Sequence, residues 1–298
     1  MDLYKEIKKL KVGKVLKNVD MRDYTTYKAG GPAKCMVFVD SETSLINLLE
    51  FIKKNKIRYK VIGNCSNLVF SNKLFDGVLI KLSYLDYYEV DDILVNVGAY
   101  YNLTKLSLKM SKSGLMGLEW AVGIPGTVGG AIYMNAGAYK SDMGYIVSSV
   151  KVLTGDLEIK TIYNKEMNFK YRSSLLHEKR DYICLEANLV LKHGNKDELK
   201  EIIEDRKRRR LMSQPLEFPN AGSVFRNPEG DFAGRIVEAL GYKGKGINDA
   251  IVSDKHANFI VNKGSANGDD IINLIKKIKS EVYDKTDIDL KVEQEFVE

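Results

Sequence analysis

The stretch 117-GLEWAVGIPGTVGGAIYMNAGAY-139 decides the fold, because its density of glycine and alanine suits neither one continuous helix nor one strand. Small residues let a backbone approach another group closely. Within it lies the Gly123 loop (residues 123–130), which lacks the G-x-G-x-x-G spacing of a dinucleotide fingerprint. The pattern therefore indicates either a loop that cradles a phosphate or a tightly packed corner.

A second glycine-containing turn, the Gly63 turn (GNCSN, residues 63–67), directly follows the strand-like residues 59–62. Such a turn presents several backbone N–H groups, which suits a pyrophosphate. An ordinary turn is the alternative interpretation. Two loops of this kind at distant positions favour a bound dinucleotide or nucleotide sugar.

The flanking sequence alternates strand-like and helix-like patterns. Capping residues at 40–43 precede Leu45, Leu48, Leu49 and Ile52, which share one helix face and sit between two strands, as in a βαβ unit. We predict further helices over 102–112, 197–211, 232–240 and 268–284. We predict strands over 35–39, 59–62, 78–82, 93–98, 150–154, 157–163, 183–191, 258–262 and 288–297, those from 150 to 191 forming an antiparallel set.

Composition excludes several classes of protein. The chain has 298 residues, 44% of them hydrophobic and 29% charged, which is typical of a globular protein. No apolar run is long enough to span a bilayer. The lysine-rich N-terminus has no apolar block and no small-residue cleavage site, so a secretory signal is not expected. Three cysteines and three histidines without ligand spacing argue against disulfides and against a metal site.

The charge distribution is consistent with a small anionic ligand, and equally with no special ligand, and it does not favour nucleic acid. The net charge of +6 is moderate. The basic run 206–210 closes the helix predicted over 197–211, and no stacking aromatics interrupt it. We interpret this run as a solvated helix face or a local phosphate contact.

Three residues outside the glycine loops are candidates for a chemical role, and each of them also has an ordinary structural interpretation. Ser223 follows a glycine and precedes Arg226 and Asn227, a pair able to hold an anion, but no G-x-S-x-G surrounds it. Arg172 lies on a loop, and the alternative interpretation is an ordinary surface residue or ion pair. Glu293 is placed with Glu295 on one face of the last strand, where exposed acids are common.

Taken together, these segments resemble the UDP-N-acetylenolpyruvoylglucosamine reductase (UDP-N-acetylmuramate dehydrogenase) family. The resemblance runs from about Thr25 to the C-terminus. It rests on seven blocks in order: TTYKAGGPAK (25–34), GNCSNLVF (63–70), residues 117–139, YRSSLL (171–176), PLEFPNAGSVFRNP (215–228), residues 233–262 and the final strand.

The resemblance implies an α+β fold: a two-subdomain FAD-binding region of the vanillyl-alcohol-oxidase type, followed by a smaller α/β substrate-binding domain. We place the domains at 1–82, 83–195 and 196–298, with the terminal strand packing back toward the first. The short connection around 171–190 resembles the subgroup that lacks an extra substrate-capping loop.

The resemblance also implies an activity: NADPH reduces non-covalent FAD, and hydride then reaches the enolpyruvyl group of a UDP-sugar in peptidoglycan precursor synthesis. The matching catalytic residues are Arg172, Ser223 and Glu293, with Arg226 and Asn227 binding substrate and no metal. The cofactor-binding residues are Gly63, Asn64, Cys65, Ser66, Asn67, Gly123, Ile124, Gly126, Thr127, Gly129, Gly130 and Asn135. A cytoplasmic monomer that binds neither nucleic acid nor membrane is expected.

Two departures and two alternatives accompany this resemblance. Cys65 stands where the family usually has glycine, and the final strand reads Leu290-Lys-Val-Glu293 where Glu-Val-Arg is commoner, so its register stays open between Glu293 and Glu295. One alternative is an oxidase on the same scaffold, with Cys65 as the flavin tether. The other is a non-enzymatic binder of nucleotide sugars or nucleic acid.

Overall fold

The computed structural model describes residues 2–298, and within this range the chain forms helices and strands in a mixed order. The α-helices are α1 (Leu3–Lys9), α2 (Glu42–Lys54), α3 (Leu103–Ser113), α4 (Val128–Tyr133), α5 (Leu175–Glu178), α6 (Lys196–Ser213), α7 (Ala233–Ala239) and α8 (Gly268–Thr286). Short 3₁₀ helices lie at Met21–Asp23, Ser83–Leu85, Glu119–Ala121, Met143–Tyr145 and Asn164–Glu166.

The strands are mostly short. They are β1 (Gly13–Asp20), β2 (Pro32–Val39), β3 (Arg58–Val61), β4 (Leu68–Phe70), β5 (Phe75–Lys81), β6 (Tyr88–Asp91), β7 (Leu94–Gly98), β8 (Leu115–Met116), β9 (Gly137–Ala138), β10 (Ser141–Asp142), β11 (Val147–Leu153), β12 (Ile159–Tyr163), β13 (Ile183–Val190), β14 (Lys192–His193), β15 (Gly246–Ile247), β16 (Ala250–Val252), β17 (Ile260–Asn262) and β18 (Glu295–Val297).

The chain folds as two compact units, each assembled from separate segments. Among the described residues, unit 1 comprises 2–16, 35–63 and 77–209, and unit 2 comprises 17–34, 64–76 and 210–298. Because both units are discontinuous, they do not correspond one to one with the three contiguous domains expected from the sequence. That three-part division stays a prediction.

Two sheets have most of their residues in unit 1. One has the order β1-β2-β5-β3, with β3 parallel to β5. Strands β2 and β3 flank α2 in the sequence as predicted, although β5 lies between them in the sheet. The apolar face of α2 is buried, with Leu45, Leu48, Leu49 and Ile52 at most 1% exposed, and Ser41 caps its first turn by accepting the N–H of Ser44.

The second sheet of unit 1 is antiparallel and has the order β12-β11-β13-β7-β6. The antiparallel set predicted between residues 150 and 191 is thereby confirmed. Its apolar side chains join those of α2 and α3 in one hydrophobic core. The stretch 114–144 is confirmed as irregular, since it holds only short strands, two 3₁₀ turns and the six-residue helix α4.

Unit 2 has its own core, in which α7 and α8 pack with the three-stranded sheet β15-β16-β17. Helix α8 begins with a capping box, in which Asn267 accepts the Asp270 N–H and Asp270 accepts the Asn267 N–H. Ile271, Ile275 and Ile278 on its buried face are at most 1% exposed. The helix predicted over 268–284 is confirmed.

The last strand differs from the prediction. Only Glu295–Val297 forms β18, which pairs in parallel with β4, while Val292 makes an isolated antiparallel bridge to Phe225. The single strand predicted over 288–297 is therefore wrong, because its two ends bond to different partners and a bend at Gln294 separates them. The shared face inferred for Glu293 and Glu295 loses its basis, since Glu293 lies before the strand.

Candidate functional site

Gly63 and the Gly123 loop meet within unit 1. Strand β3 ends at Val61, and a Cβ atom placed on Gly63 would lie 2.5 Å from Oγ1 of Thr127. That oxygen caps α4 by accepting the Gly130 N–H at 3.3 Å. Two loops far apart in the sequence are thus neighbours, and only a glycine fits at position 63.

The end of the Gly123 loop packs tightly against the segment before α3. The N–H of Gly129 donates to the carbonyl oxygen of Ala99 at 2.8 Å, and that of Val128 donates to Tyr101 at 2.9 Å. A Cβ atom on Gly129 would lie 2.9 Å from the Cβ of Ala99. This part of the loop is a packed corner, and the cofactor role of Gly129 stays a prediction, as do those of Gly123, Ile124, Gly126, Thr127 and Gly130.

A buried lysine beneath the Gly63 turn was missed by the sequence reasoning. Lys81, at the end of β5, is 6% exposed, and its Nζ donates to the carbonyl oxygen of Gly63 at 3.2 Å. The same Nζ lies 5.9 Å from the ring centroid of Phe38 and 5.7 Å from that of Tyr100. A buried positive charge at this turn favours an anion nearby. The available signal was one charge within the apolar strand VLIKL.

Arg172 lies in a tight turn, residues 170–173, in which Lys170 and Ser173 exchange two backbone hydrogen bonds of 3.0 and 3.1 Å. Its backbone is left-handed, with φ of 55°. Its Nη2 donates to the carbonyl oxygen of Gly137 at 3.1 Å, and its guanidinium lies 5.1 Å from the ring centroid of Tyr171. The backbone hydrogen bonds fix the turn, and the side-chain contacts hold the half-buried guanidinium of Arg172.

Residues 64–67 of the Gly63 turn belong to unit 2, together with β4. Cys65 is 3% exposed and adopts a φ of 53°, a conformation that favours glycine. This gives a physical reason for the glycine that the family resemblance leads us to expect at this position. Asn67 donates through its side-chain Nδ2 to the carbonyl oxygen of Glu293 at 3.0 Å. Its backbone carbonyl oxygen accepts the N–H of Glu295 at the same distance. The roles of Asn64, Ser66 and Asn67 toward a cofactor stay predictions.

Unit 2 also brings Ser223 and Glu293 together. The N–H of Glu293 donates to the carbonyl oxygen of Val224 at 2.8 Å, next to the Phe225–Val292 bridge. Gly222, just before Ser223, has a φ of 75° that starts this segment in a left-handed conformation. Arg172 belongs to unit 1, so the convergence of all three residues stays a prediction.

Side chains lock the backbone on both sides of Ser223. Gln294 donates through Nε2 to the carbonyl oxygens of Ala221 and Gly222 at 3.1 and 3.2 Å, and it accepts the Tyr27 hydroxyl proton at 3.1 Å. Burial raises the pKa of Tyr27 far above its ordinary value, so this phenol remains a donor at neutral pH. Asn258 accepts the N–H of Phe225 and donates to its carbonyl oxygen, at 2.9 and 2.8 Å.

Arg226 and Asn227 follow Ser223 in the same segment. The Nε of Arg226 is buried and has no hydrogen-bond partner among residues 2–298, which suits an anion as its missing partner. The Oδ1 of Asn227 accepts the N–H of Ala233 at 3.1 Å, so this side chain orders the start of α7. The predicted substrate contact of Asn227 is untested.

Elsewhere the structure assigns ordinary roles to groups that sequence alone leaves ambiguous. In the basic run, Arg208 and Arg209 both pair with Asp205 at 2.6 Å. Burial raises the pKa of the Cys35 thiol to about 11 and that of Cys184 to about 12, so neither is a thiolate at neutral pH. Across residues 2–298 no three His, Cys, Asp or Glu side chains cluster closely enough to bind a metal. None of the helices in this range has the length and apolar character needed to cross a bilayer.

Comparison with known families assigns both parts of the chain. Residues 33–163 match the family described as "FAD binding domain". Residues 214–297 match "UDP-N-acetylenolpyruvoylglucosamine reductase, C-terminal domain". The chain is thus a FAD-dependent oxidoreductase, and the predicted order of a FAD-binding region before a C-terminal domain is confirmed.

Similarity over nearly the whole length identifies the family. The chain is 43% identical to UDP-N-acetylenolpyruvoylglucosamine reductase of Anoxybacillus flavithermus, covering 99% of this chain and 98% of that protein. It is 42% identical to the Bacillus subtilis reductase, covering 98% and 97%. The crystal structure of the Thermus caldophilus reductase superposes with a TM-score of 0.83 at 32% identity, covering 96% of this chain and 99% of that one. This chain belongs to the UDP-N-acetylenolpyruvoylglucosamine reductase family.

Proposed function

We propose that the chain catalyses the NADPH- and FAD-dependent reduction of the enolpyruvyl group of UDP-N-acetylglucosamine enolpyruvate, which gives UDP-N-acetylmuramate for peptidoglycan synthesis. The observation that carries this proposal is the presence, on one chain, of a FAD-binding domain and the reductase C-terminal domain. Bound FAD supplies the transfer of hydride from NADPH to the substrate.

The glycine loops are assigned to the cofactor. Gly63 lies against Thr127 with no room for a side chain, which suits a site where backbone approaches a pyrophosphate. Lys81 beneath the turn adds a positive charge. We therefore assign the Gly63 turn and the accessible part of the Gly123 loop to FAD, held without a covalent bond, so that acid precipitation should leave the protein colourless.

The residues of the candidate site are assigned to the substrate. A carboxylate makes the substrate's double bond resist hydride, and Arg172 offsets this charge by a charge-assisted contact. Glu293, in its protonated form, donates a hydrogen bond to the same group as negative charge builds on it. After hydride has added to the terminal vinyl carbon, Ser223 protonates the carbon next to the carboxylate, with Arg226 stabilising the resulting alkoxide.

We further propose that the enzyme is a cytoplasmic monomer whose partners are NADPH and the UDP-sugar. Three buried cysteine thiols fit a reducing compartment. The ion pairs of Arg208 and Arg209 with Asp205 leave less positive charge for nucleic acid. Light scattering of the purified protein tests whether it is a monomer. Retardation of nucleic acid at physiological salt would contradict the proposed set of partners.

An anaerobic experiment tests the reaction itself. The purified protein is loaded with FAD, reduced with one equivalent of NADPH and then mixed with UDP-N-acetylglucosamine enolpyruvate. We expect the visible absorbance of oxidised flavin to return and UDP-N-acetylmuramate to form in equal amount. UDP-N-acetylglucosamine, which lacks the vinyl ether, is the matched control and should leave the flavin reduced. A flavin that stays reduced with both compounds would refute the proposed reaction.

A substitution at Gly63 tests the cofactor assignment. Gly63→Ala places a methyl group 2.5 Å from Thr127 Oγ1, so the two loops must separate. We expect FAD to bind about tenfold more weakly, equivalent to roughly 1.4 kcal/mol, as measured by fluorescence titration of the apoprotein. Urea unfolding of the apoprotein is the control. A variant that binds FAD normally would remove Gly63 from the cofactor site.

A further inference from the structure

The turn that carries Arg172 is held by one neighbouring segment, residues 133–137, through alternate residues. Ser174 donates through Oγ to the carbonyl oxygen of Tyr133 at 2.9 Å. Asn135 donates through Nδ2 to the carbonyl oxygen of Lys170 at 3.0 Å. Arg172 itself donates to Gly137 at 3.1 Å. These three contacts hold Lys170 at the beginning of the turn, Arg172 within it and Ser174 directly after it.

Asn135 is the only one of these anchors whose side chain reaches from the segment to the turn. It is 2% exposed, and its φ of 42° is a left-handed conformation that asparagine tolerates better than most residues. Its Oδ1 accepts the N–H of Gly144 at 2.9 Å while its Nδ2 holds Lys170. Both polar atoms are therefore engaged by backbone, and the side chain ties the turn to the 3₁₀ helix Met143–Tyr145 that follows β10.

We propose that Asn135 is a positioning residue for Arg172, holding the turn so that the guanidinium meets the substrate carboxylate in a fixed orientation. This inference rests on the proposed function, in which Arg172 binds that carboxylate. A guanidinium fork must match a carboxylate in direction as well as distance, and a displacement of about 1 Å in a reacting group can lower a rate about 100-fold. The inference differs from the cofactor contact that the sequence predicts for Asn135.

The test compares Asn135→Gly with Asn164→Ala. Glycine accepts the left-handed backbone while removing both side-chain hydrogen bonds. Asn164 is a matched control, because its Nδ2 donates to the carbonyl oxygens of Gly144 and Val147, at 2.9 and 2.7 Å, within the same region but away from the Arg172 turn. For each variant the FAD dissociation constant, the rate of flavin reduction by NADPH and the rate of reoxidation by substrate are measured.

We expect Asn135→Gly to lower the reoxidation rate about 10- to 100-fold, with the FAD dissociation constant and the reduction rate near normal. Asn164→Ala should change all three quantities equally or not at all. Weaker FAD binding with normal reoxidation at saturating FAD would overturn the inference and favour the cofactor role. Equal losses in both half-reactions would also overturn it.

Asn135→Asp provides a second variant in case glycine prevents folding. Aspartate suits the left-handed backbone and keeps the acceptor for Gly144, but when ionised it has no proton to donate to Lys170. Its reoxidation rate should recover as pH falls, because the protonated acid donates again, whereas the wild-type rate should not follow this pH profile. A pH profile identical to the wild type would contradict the role of the Lys170 bond.

Combination with Arg172→Lys separates the inference from the proposed function. If Arg172→Lys alone leaves reoxidation normal, the assignment of Arg172 fails and the proposed site with it. If Arg172→Lys is severe but Asn135→Gly is normal, the inference alone fails. We expect the double variant to be about as slow as Arg172→Lys, since the position of the turn then no longer matters. Losses that multiply would show that Asn135 acts independently of Arg172.

Discussion

Ser223→Ala is expected to slow the reoxidation of reduced flavin by the enolpyruvyl substrate about 10²- to 10⁴-fold, the usual range for removing a positioned proton donor. Flavin reduction by NADPH should stay near the wild-type rate, because that half-reaction needs no proton at the substrate carbon. Stopped-flow absorbance under anaerobic conditions measures the two rates separately. Equal losses in both would remove Ser223 from the role of donor.

The structure makes this variant interpretable, because the fold around Ser223 does not depend on its hydroxyl. The flanking backbone is held by Gln294 and Asn258, and the Val224 N–H donates to the Asn258 carbonyl oxygen at 2.9 Å. Ser280→Ala, on the exposed side of α8 in the same unit, is the matched control and should alter neither rate. Substitution of Ser223 by cysteine, a stronger acid, should restore part of the rate.

The regular elements were predictable because their signals are local. In α2 and α8 the apolar residues recur at helical spacing, and both helices begin at residues whose side chains accept backbone N–H groups. The antiparallel set β11–β13 was equally clear from its alternating or apolar runs. Pattern and capping suffice where neighbours in the sequence decide the conformation.

The terminal segment was misjudged because its conformation depends on distant partners. Residues near Val292 bond to the Ser223 segment, whereas Glu295–Val297 bond to β4. The apolar and polar alternation of 288–297 fits a single strand equally well, so no local signal places the bend at Gln294. The same bend puts the Gln294 side chain on the backbone before Ser223, which links this unexpected geometry to the candidate site.

The sequence proposes the candidate site as a set of residues, but it does not predict the hydrogen-bond network around them. Sequence blocks selected Ser223 and Glu293, and the structure places them on bonded segments. The sequence itself does not indicate that Lys81 supports Gly63 from 18 residues away, or that Asn135 holds Lys170 from 35 residues away. Such contacts join side chain to backbone across the fold, and neither partner's identity reveals the other.

Arg172→Lys is expected to lower the reoxidation rate about 10²- to 10³-fold, the cost of losing one preorganised group that stabilises developing charge. An ammonium keeps the charge but presents no planar fork, and it cannot reproduce both the Gly137 contact and a paired contact to a carboxylate. The loss should appear in the rate at saturating substrate more than in substrate affinity, because the carboxylate gains charge as hydride adds.

The left-handed backbone at Arg172 sharpens this test. Any residue other than glycine, asparagine or aspartate bears a similar backbone cost at a φ of 55°, so lysine and arginine differ there chiefly in their side chains. Arg172→Lys should therefore unfold at nearly the wild-type temperature, while Arg172→Gly should lose the same activity without that backbone cost. Comparable activity of Arg172→Lys and the wild type would remove Arg172 from the proposed site.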